Sequence, residues 1–108
     1  MPKDDRVFVG HMLDTARKAV KLVGTKTRAD FDRDEALILA LTHLIQTLGE
    51  AARRVSPQFQ AEHPDVSWKE IIGMRHKVVH DYLDVNPDIV WHVVTVDLKP
   101  LVDSLAKI

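Results

Sequence analysis

The 108-residue sequence contains no cysteine. That excludes disulfides, thiolate zinc sites and a cysteine nucleophile together. An excess of charge of one sign is also missing: the formal net charge is -1 and the pI about 6.6. There is thus no global basic field of the kind typical of duplex-DNA binders, and any contact with nucleic acid must come from a local patch or a shared site. No apolar run approaches the ~20 residues a membrane span needs. The first residues, Met1-Pro2-Lys3-Asp4-Asp5, are charged rather than signal-like. A soluble, cytoplasmic protein with no membrane partner is the expectation. Internal repeats, low-complexity linkers and convincing period-two alternation are absent as well. One domain over residues 1–108 is expected, with a core thin enough that pairing with a second copy would add burial.

What is present is helical periodicity, in four segments. Val9, Leu13, Ala16, Val20 and Val23 repeat at spacings of four and three, and Gly24 follows where a C-terminal cap is wanted. Leu37, Leu41, Leu44, Leu48, Ala51 and Val55 form a longer seam, widened by Ile38, Ile45 and Ala52, so this helix should be the most buried. Asp32 with Glu35 reads as its capping box, and Ser56-Pro57 ends it and can start a short turn. The stretch to His63-Pro64-Asp65 reads as a connector. Ser67-x-x-Glu70 is a second capping box, opening a third helix at Trp68. Asn86-Pro87-Asp88 opens the fourth, whose Trp91, Val94, Leu98, Leu101, Leu105 and Ile108 share a face. Pro100 inside that pattern predicts a kink or weakened turn. The expected architecture is an all-α, up-and-down bundle of four main helices plus a short connecting helical turn. Gly49 and Gly73 lie within helical patterns, at a cost of roughly 1 kcal/mol each relative to alanine. They either let two helices approach closely or, for Gly73, leave room for a ligand next to Arg75.

Arg75-His76-Lys77-Val78-Val79-His80-Asp81-Tyr82 concentrates the chemistry. A permanent cation suited to holding phosphate stands near imidazoles able to move protons, which points to phosphodiester chemistry. On a continuous helix Arg75 and Tyr82, seven apart, share a face, whereas His80 lies about 140° around the axis from Arg75. Both could serve one atom only if the helix unwinds before His80, if the arginine curls round, or if two copies of the motif meet across a dimer axis. Plainer roles compete: a solvated or salt-bridged arginine, a histidine favouring a helix C-terminus, a tyrosine in the core. His76 and His80 have a metal-ligand spacing, with His43, His63 or His92 as conceivable third ligands. The glutamate of a His-Glu-x-x-His site is absent, however, and no metal or other cofactor is expected.

Arg75-x4-His80-x-Tyr82 resembles the motif of the HEPN superfamily of small helical domains, and more narrowly the HepT-like ribonuclease toxins that pair with a minimal nucleotidyltransferase antitoxin. Gly49-Glu50-Ala51-Ala52, the run Trp68 to Gly73, and Asp84 to Trp91 followed by Asp97-Leu98 and Pro100-Leu101 are similar to that family's other segments. The resemblance covers nearly the whole chain. It implies a HEPN-like bundle and a metal-independent endoribonuclease of a type VII toxin–antitoxin pair. RNA, with transfer RNA the substrate suggested by that family, would be cut with Arg75 as phosphate clamp and His80 as acid/base. It also implies a homodimer, and silencing by transfer of AMP onto Tyr82. His76, Asp81 and Glu50 are the supporting candidates; His76 stands where asparagine is common. The alternative is a non-catalytic nucleotide- or partner-binding subunit of a nucleotidyltransferase complex.

Overall fold

The protein is described by a computed structural model covering residues 4–81 and 84–108, with His80 and Asp81 described by backbone alone. Helix α1 (Asp5–Val23) begins where the Asp4 carboxylate accepts from Arg6 N–H at 2.9 Å. It stops at Gly24, whose φ of 52° is the positive value that glycine adopts without a Cβ penalty. A short helix, α2 (Arg28–Asp32), follows. The periodicity does not announce it, but its capping box does: Thr27 and Asp30 exchange side-chain and backbone bonds. Asp32 is consumed as the last residue of α2, so it does not cap the next helix. Asp34 performs that task for α3 (Glu35–Arg53), accepting from Leu37 N–H at 3.0 Å.

Ser56 closes off α3 and caps the connecting helix α4 (Pro57–Glu62), with proline at its start as expected. Asp5 holds this corner by accepting from both the backbone N–H and the hydroxyl of Ser56. That contact places the start of α1 beside the end of α3. Helix α5 (Trp68–Val78) starts at Ser67, but the expected side-chain cap is not made. Ser67 sits at φ −81°, ψ 67°, where Trp68 N–H closes a tight turn onto the Val66 carbonyl. A residue in that inverse γ-turn lacks the extended ψ of the Asp4, Thr27 and Ser56 caps.

The largest departure from the expected pattern follows. Helix α5 ends at Val78, and Val79 is extended at φ −122°, ψ 107°. Strand β1 (Val79–Asp81) pairs antiparallel with β2 (Asp84–Val85). The adjacent β-branched residues Val78 and Val79, with Val85 opposite Val79 on β2, suit a short ribbon better than a further helical turn. The last main helix is composite: α6 (Pro87–His92), a π-helical turn (Val93–Asp97) and α7 (Leu98–Ala106). Asn86 caps it as the sequence predicts. The wide turn, closed by Leu98 N–H onto the Val93 carbonyl, lies just before Pro100. It is the weakened turn that proline calls for, since the ring offers no N–H to the Val96 carbonyl and crowds it.

The result is an all-α bundle. Helix α3 runs through its middle, packed along α1 on one side and α5 on the other, and α7 closes against α1. The buried side chains form one apolar cluster, with Val9, Met12, Ala16, Ala19 and Val23 from α1 meeting Leu41, Ile45, Leu48 and Ala52 from α3. Wholly buried Phe31 brings α2 into it, its ring 5.1 Å from that of Trp91. Among the described residues no helix is long and apolar enough to cross a membrane.

Candidate active site

Gly49 explains how Arg75 comes to its place. A Cβ at Gly49 would lie 3.0 Å from the Ile71 carbonyl oxygen, 3.4 Å from Arg75 Cγ and 3.5 Å from the Ile72 carbonyl. Only glycine allows α3 and α5 this close, and the arginine stem lies in the gap. Gly73 is different: a Cβ there would meet nothing within 4 Å, so it mediates no helix contact.

One residue along from Gly49, Glu50 receives the Arg75 guanidinium at 2.6 Å. The same carboxylate takes Arg53 on both oxygens, at 2.7 and 3.3 Å, and Arg54 at 3.4 Å. The hydrogen bonds from Arg53 lead in holding the Glu50 carboxyl down at about 2; desolvation, the next largest effect, opposes them, and Arg54 and Arg75 add to the lowering. Glu50 is therefore a fixed anion at neutral pH and is unsuited to proton transfer. Its role is to gather three guanidiniums from two helices and leave a local surplus of positive charge. Both partners of the Arg75–Glu50 pair are about one-third exposed, at 33% and 35%, so the cluster opens to an incoming anion. Arg53 and Arg54 were not singled out from the sequence. The signal was present in Glu50-x-x-Arg53-Arg54, an acid followed by bases three and four residues on along one helix face.

The other predicted residues divide. His76 is exposed in the last turn of α5, and no described contact engages it in the arginine cluster. His80 lies on β1, off the helix. Val79 pairs with Val85 and Asp81 with Asp84, so His80 is the extra residue of a bulge. Of the three conditions set for Arg75 and His80 to serve one atom, the first is met: the helix ends at Val78, before His80. The shared face expected of Arg75 and Tyr82 rested on a continuous helix, and α5 ends at Val78. Tyr82 lies outside the described residues, as do the side chains of His80 and Asp81.

Among the described residues no three His, Cys, Asp or Glu side chains are grouped as a metal site requires. The histidines considered as third ligands have other settings. His63 stacks on Phe59 with ring centroids 4.5 Å apart, and His92 faces Asp97 at 3.6 Å. His43 lines an open groove of about 610 Å³ between α1 and α3 that ends at Arg75.

Comparison with known proteins agrees with this architecture. The family model described as ribonuclease HepT-like matches residues 12–108. A candidate RNase of Caldanaerobacter subterraneus subsp. tengcongensis is 30% identical over 106 residues, covering 98% of this chain and 95% of that protein. The probable ribonuclease HepT of Thermococcus cleftensis is 28% identical over 100 residues, 89% of this chain and 91% of its own. A Methanocaldococcus jannaschii protein named as a gamma-glutamylcyclotransferase and candidate RNase is 28% identical over 108 residues. The match takes in all of this chain but only 49% of that longer protein. No solved structure matches at the significance required.

Proposed function

From the premise that the chain belongs to the ribonuclease HepT-like family of endoribonucleases, we propose that it is the toxin of a type VII toxin–antitoxin pair, cleaving RNA at a site built on Arg75 and His80. The observation that carries this reading is Arg75 itself, pinned at 2.6 Å by Glu50 within a cluster of guanidiniums and still one-third exposed. A guanidinium already oriented and partly desolvated is suited to the charge that develops on a phosphorane.

The reaction uses the nucleophile that RNA carries. The 2′-oxygen bonds to the adjacent phosphorus, the bond from phosphorus to the 5′-oxygen breaks, and a 2′,3′-cyclic phosphate and a 5′-hydroxyl result. One group must take the 2′ proton and one must supply a proton to the leaving oxygen. His80 is the acid/base and Arg75 the phosphate clamp. His76, on the last turn of α5, and Asp81, beside His80 on β1, are supporting candidates. No metal is required in this scheme, since Arg75 supplies the electrostatic stabilisation. A homodimer would bring two copies of the motif together, providing an acid and a base from the two chains. Transfer RNA is a substrate to test first.

Silencing by a minimal nucleotidyltransferase antitoxin completes the reading. The Tyr82 phenol oxygen attacks the α-phosphorus of ATP, pyrophosphate leaves and the phenolic proton is released. The resulting phosphodiester-linked AMP adds bulk and negative charge to the motif and repels the RNA backbone.

Cleavage of an RNA pool in the presence of a chelator, compared among wild type, Arg75→Ala and His80→Ala, tests the catalytic part. Both variants should be inactive yet folded by circular dichroism. Undiminished cleavage by folded His80→Ala would sink the assignment. For the silencing step, the chain co-produced with its nucleotidyltransferase should gain mass, and Tyr82→Phe should not. An unmodified Tyr82 in the presence of active partner and ATP would refute that step alone.

A further inference from the structure

The groove between α1 and α3 is not used by the chemistry just described. The Asp5–Ser56 bonds run the two helices antiparallel, so the start of α1 faces the end of α3. His43 and Arg54 lie eleven residues apart on α3, about three turns, and therefore on one stripe of that helix. Phe8 and His11 lie on the first two turns of α1, their rings edge to face at 6.2 Å and 86°. These side chains line the groove of about 610 Å³, with Arg54 and Arg75 contributing its cationic groups. Both His11 and His43 are exposed, presenting flat π-surfaces to solvent rather than filling the core.

Resting on the ribonuclease reading, we infer that this groove is the subsite for a nucleotide flanking the scissile phosphate of single-stranded RNA. The volume lies within the ~300–1,000 Å³ typical of small-ligand clefts. The cations receive backbone phosphate, and the base stacks on one of the mutually perpendicular Phe8 and His11 rings, meeting the other edge-on and His43 from α3, the way unpaired bases are commonly held. The groove's two carboxylates, Asp14 and the Glu50 that holds Arg54 and Arg75, disfavour a second phosphate within it, and Asp14 offers an acceptor to an exocyclic amine. A base with phosphate on one side satisfies this distribution of charge. A duplex does not, because its two phosphate rows need a longer basic surface than a chain of net charge -1 supplies here.

The test is fluorescence anisotropy with a short, mixed-sequence 2′-O-methyl oligonucleotide, which lacks the nucleophilic hydroxyl and so reports binding without turnover. At pH 8, His11→Ala/His43→Ala should bind about tenfold more weakly. Its salt dependence and melting temperature should be unchanged. Arg54→Ala should weaken binding and lower the slope of log affinity against log salt by about 0.7. Wild-type affinity in the double histidine variant, with wild-type protein cleaving RNA, overturns the subsite and leaves the ribonuclease reading intact. A wild-type protein that neither binds nor cleaves RNA overturns both. Loss of affinity accompanied by a changed sedimentation coefficient shows that the groove joins copies of the chain, and overturns the subsite as well.

Discussion

Replacing Gly49 by alanine tests the packing that positions Arg75, because the same substitution at Gly73 supplies an internal control. An added Cβ at Gly49 would sit 3.0 Å from the Ile71 carbonyl oxygen and 3.5 Å from that of Ile72. Backbone oxygens of a packed helix cannot swing aside as a side-chain tip can, so α5 must move off α3 by a few tenths of an ångström. Overpacking of this kind costs ~1–3 kcal/mol. Alanine returns about 1 kcal/mol through helix propensity. The net is a destabilisation of about 1 kcal/mol, which lowers the melting temperature of a domain this size by ~4–8 °C.

At Gly73 the Cβ meets nothing within 4 Å, so only the propensity gain remains and Gly73→Ala should melt a few degrees higher than wild type. Differential scanning calorimetry of the two variants therefore reads opposite signs from one chemical change. Gly49→Ala should also cleave RNA on the order of tenfold more slowly at 25 °C, where it remains folded, because Arg75 Cγ lies 3.4 Å from the new methyl. If both variants stabilise alike, the close approach of α3 and α5 at Gly49 is wrong, and with it this account of how Arg75 is placed.

The Glu50 carboxyl is held down from 4.5 to about 2, so its contribution to stability is complete above pH ~4.5 and is lost as pH falls towards 2. Urea titrations over that window should show wild type losing stability more steeply than Glu50→Gln, and less so in 1 M salt because the group is partly exposed; identical pH profiles would refute the assignment. Asp34→Ala should cost about 1 kcal/mol as a lost N-cap, while Asp32→Ala, whose bond to Arg28 is exposed, should stay within about 0.5 kcal/mol. Chemical denaturation showing the reverse order would restore Asp32 as the cap. Asp5→Ala removes two bonds to Ser56 and should cost about 2 kcal/mol; a variant as stable as wild type would mean that the corner between α1 and α4 does not depend on it.

The main helices were legible because their apolar spacing reports burial directly. The seams on α1, α3 and the last helix needed only shifts of a residue or so, with Met12 and Ala19 buried where Leu13 and Val20 were expected and both of these only partly covered. Caps were less legible, since several acids or hydroxyls near a helix start can be written as a box. Competition decided between them: α2 took Asp32, and a γ-turn held Ser67 out of capping geometry. The end of α5 was harder to read. Val78 and Val79 fit a helical stripe, and only pairing with Val85, on the returning strand, selects the ribbon. At the site, Arg75 was found from its motif, whereas Arg53 and Arg54 were passed over because arginines on a helix are common and their shared partner Glu50 becomes apparent only in three dimensions.

The two halves of the Arg75–His80 pair are consequently placed by different means. Arg75 sits on a helix and is fixed twice, by the glycine gap that admits its stem and by the carboxylate that takes its head. His80 sits on a two-stranded ribbon, at the unpaired residue of a bulge. The four residues between them divide unequally: three finish the helix and one begins the strand. Had the helix run on, the interval would have turned the histidine about 140° from the arginine. Ending it at Val78 removes that constraint, and the bulge breaks the strict alternation of the strand at the residue that matters. A spacing that is awkward on one regular element is workable across two. In the proposed enzyme the phosphate clamp is therefore rigid with the bundle, while the orientation of the acid/base is set by the ribbon.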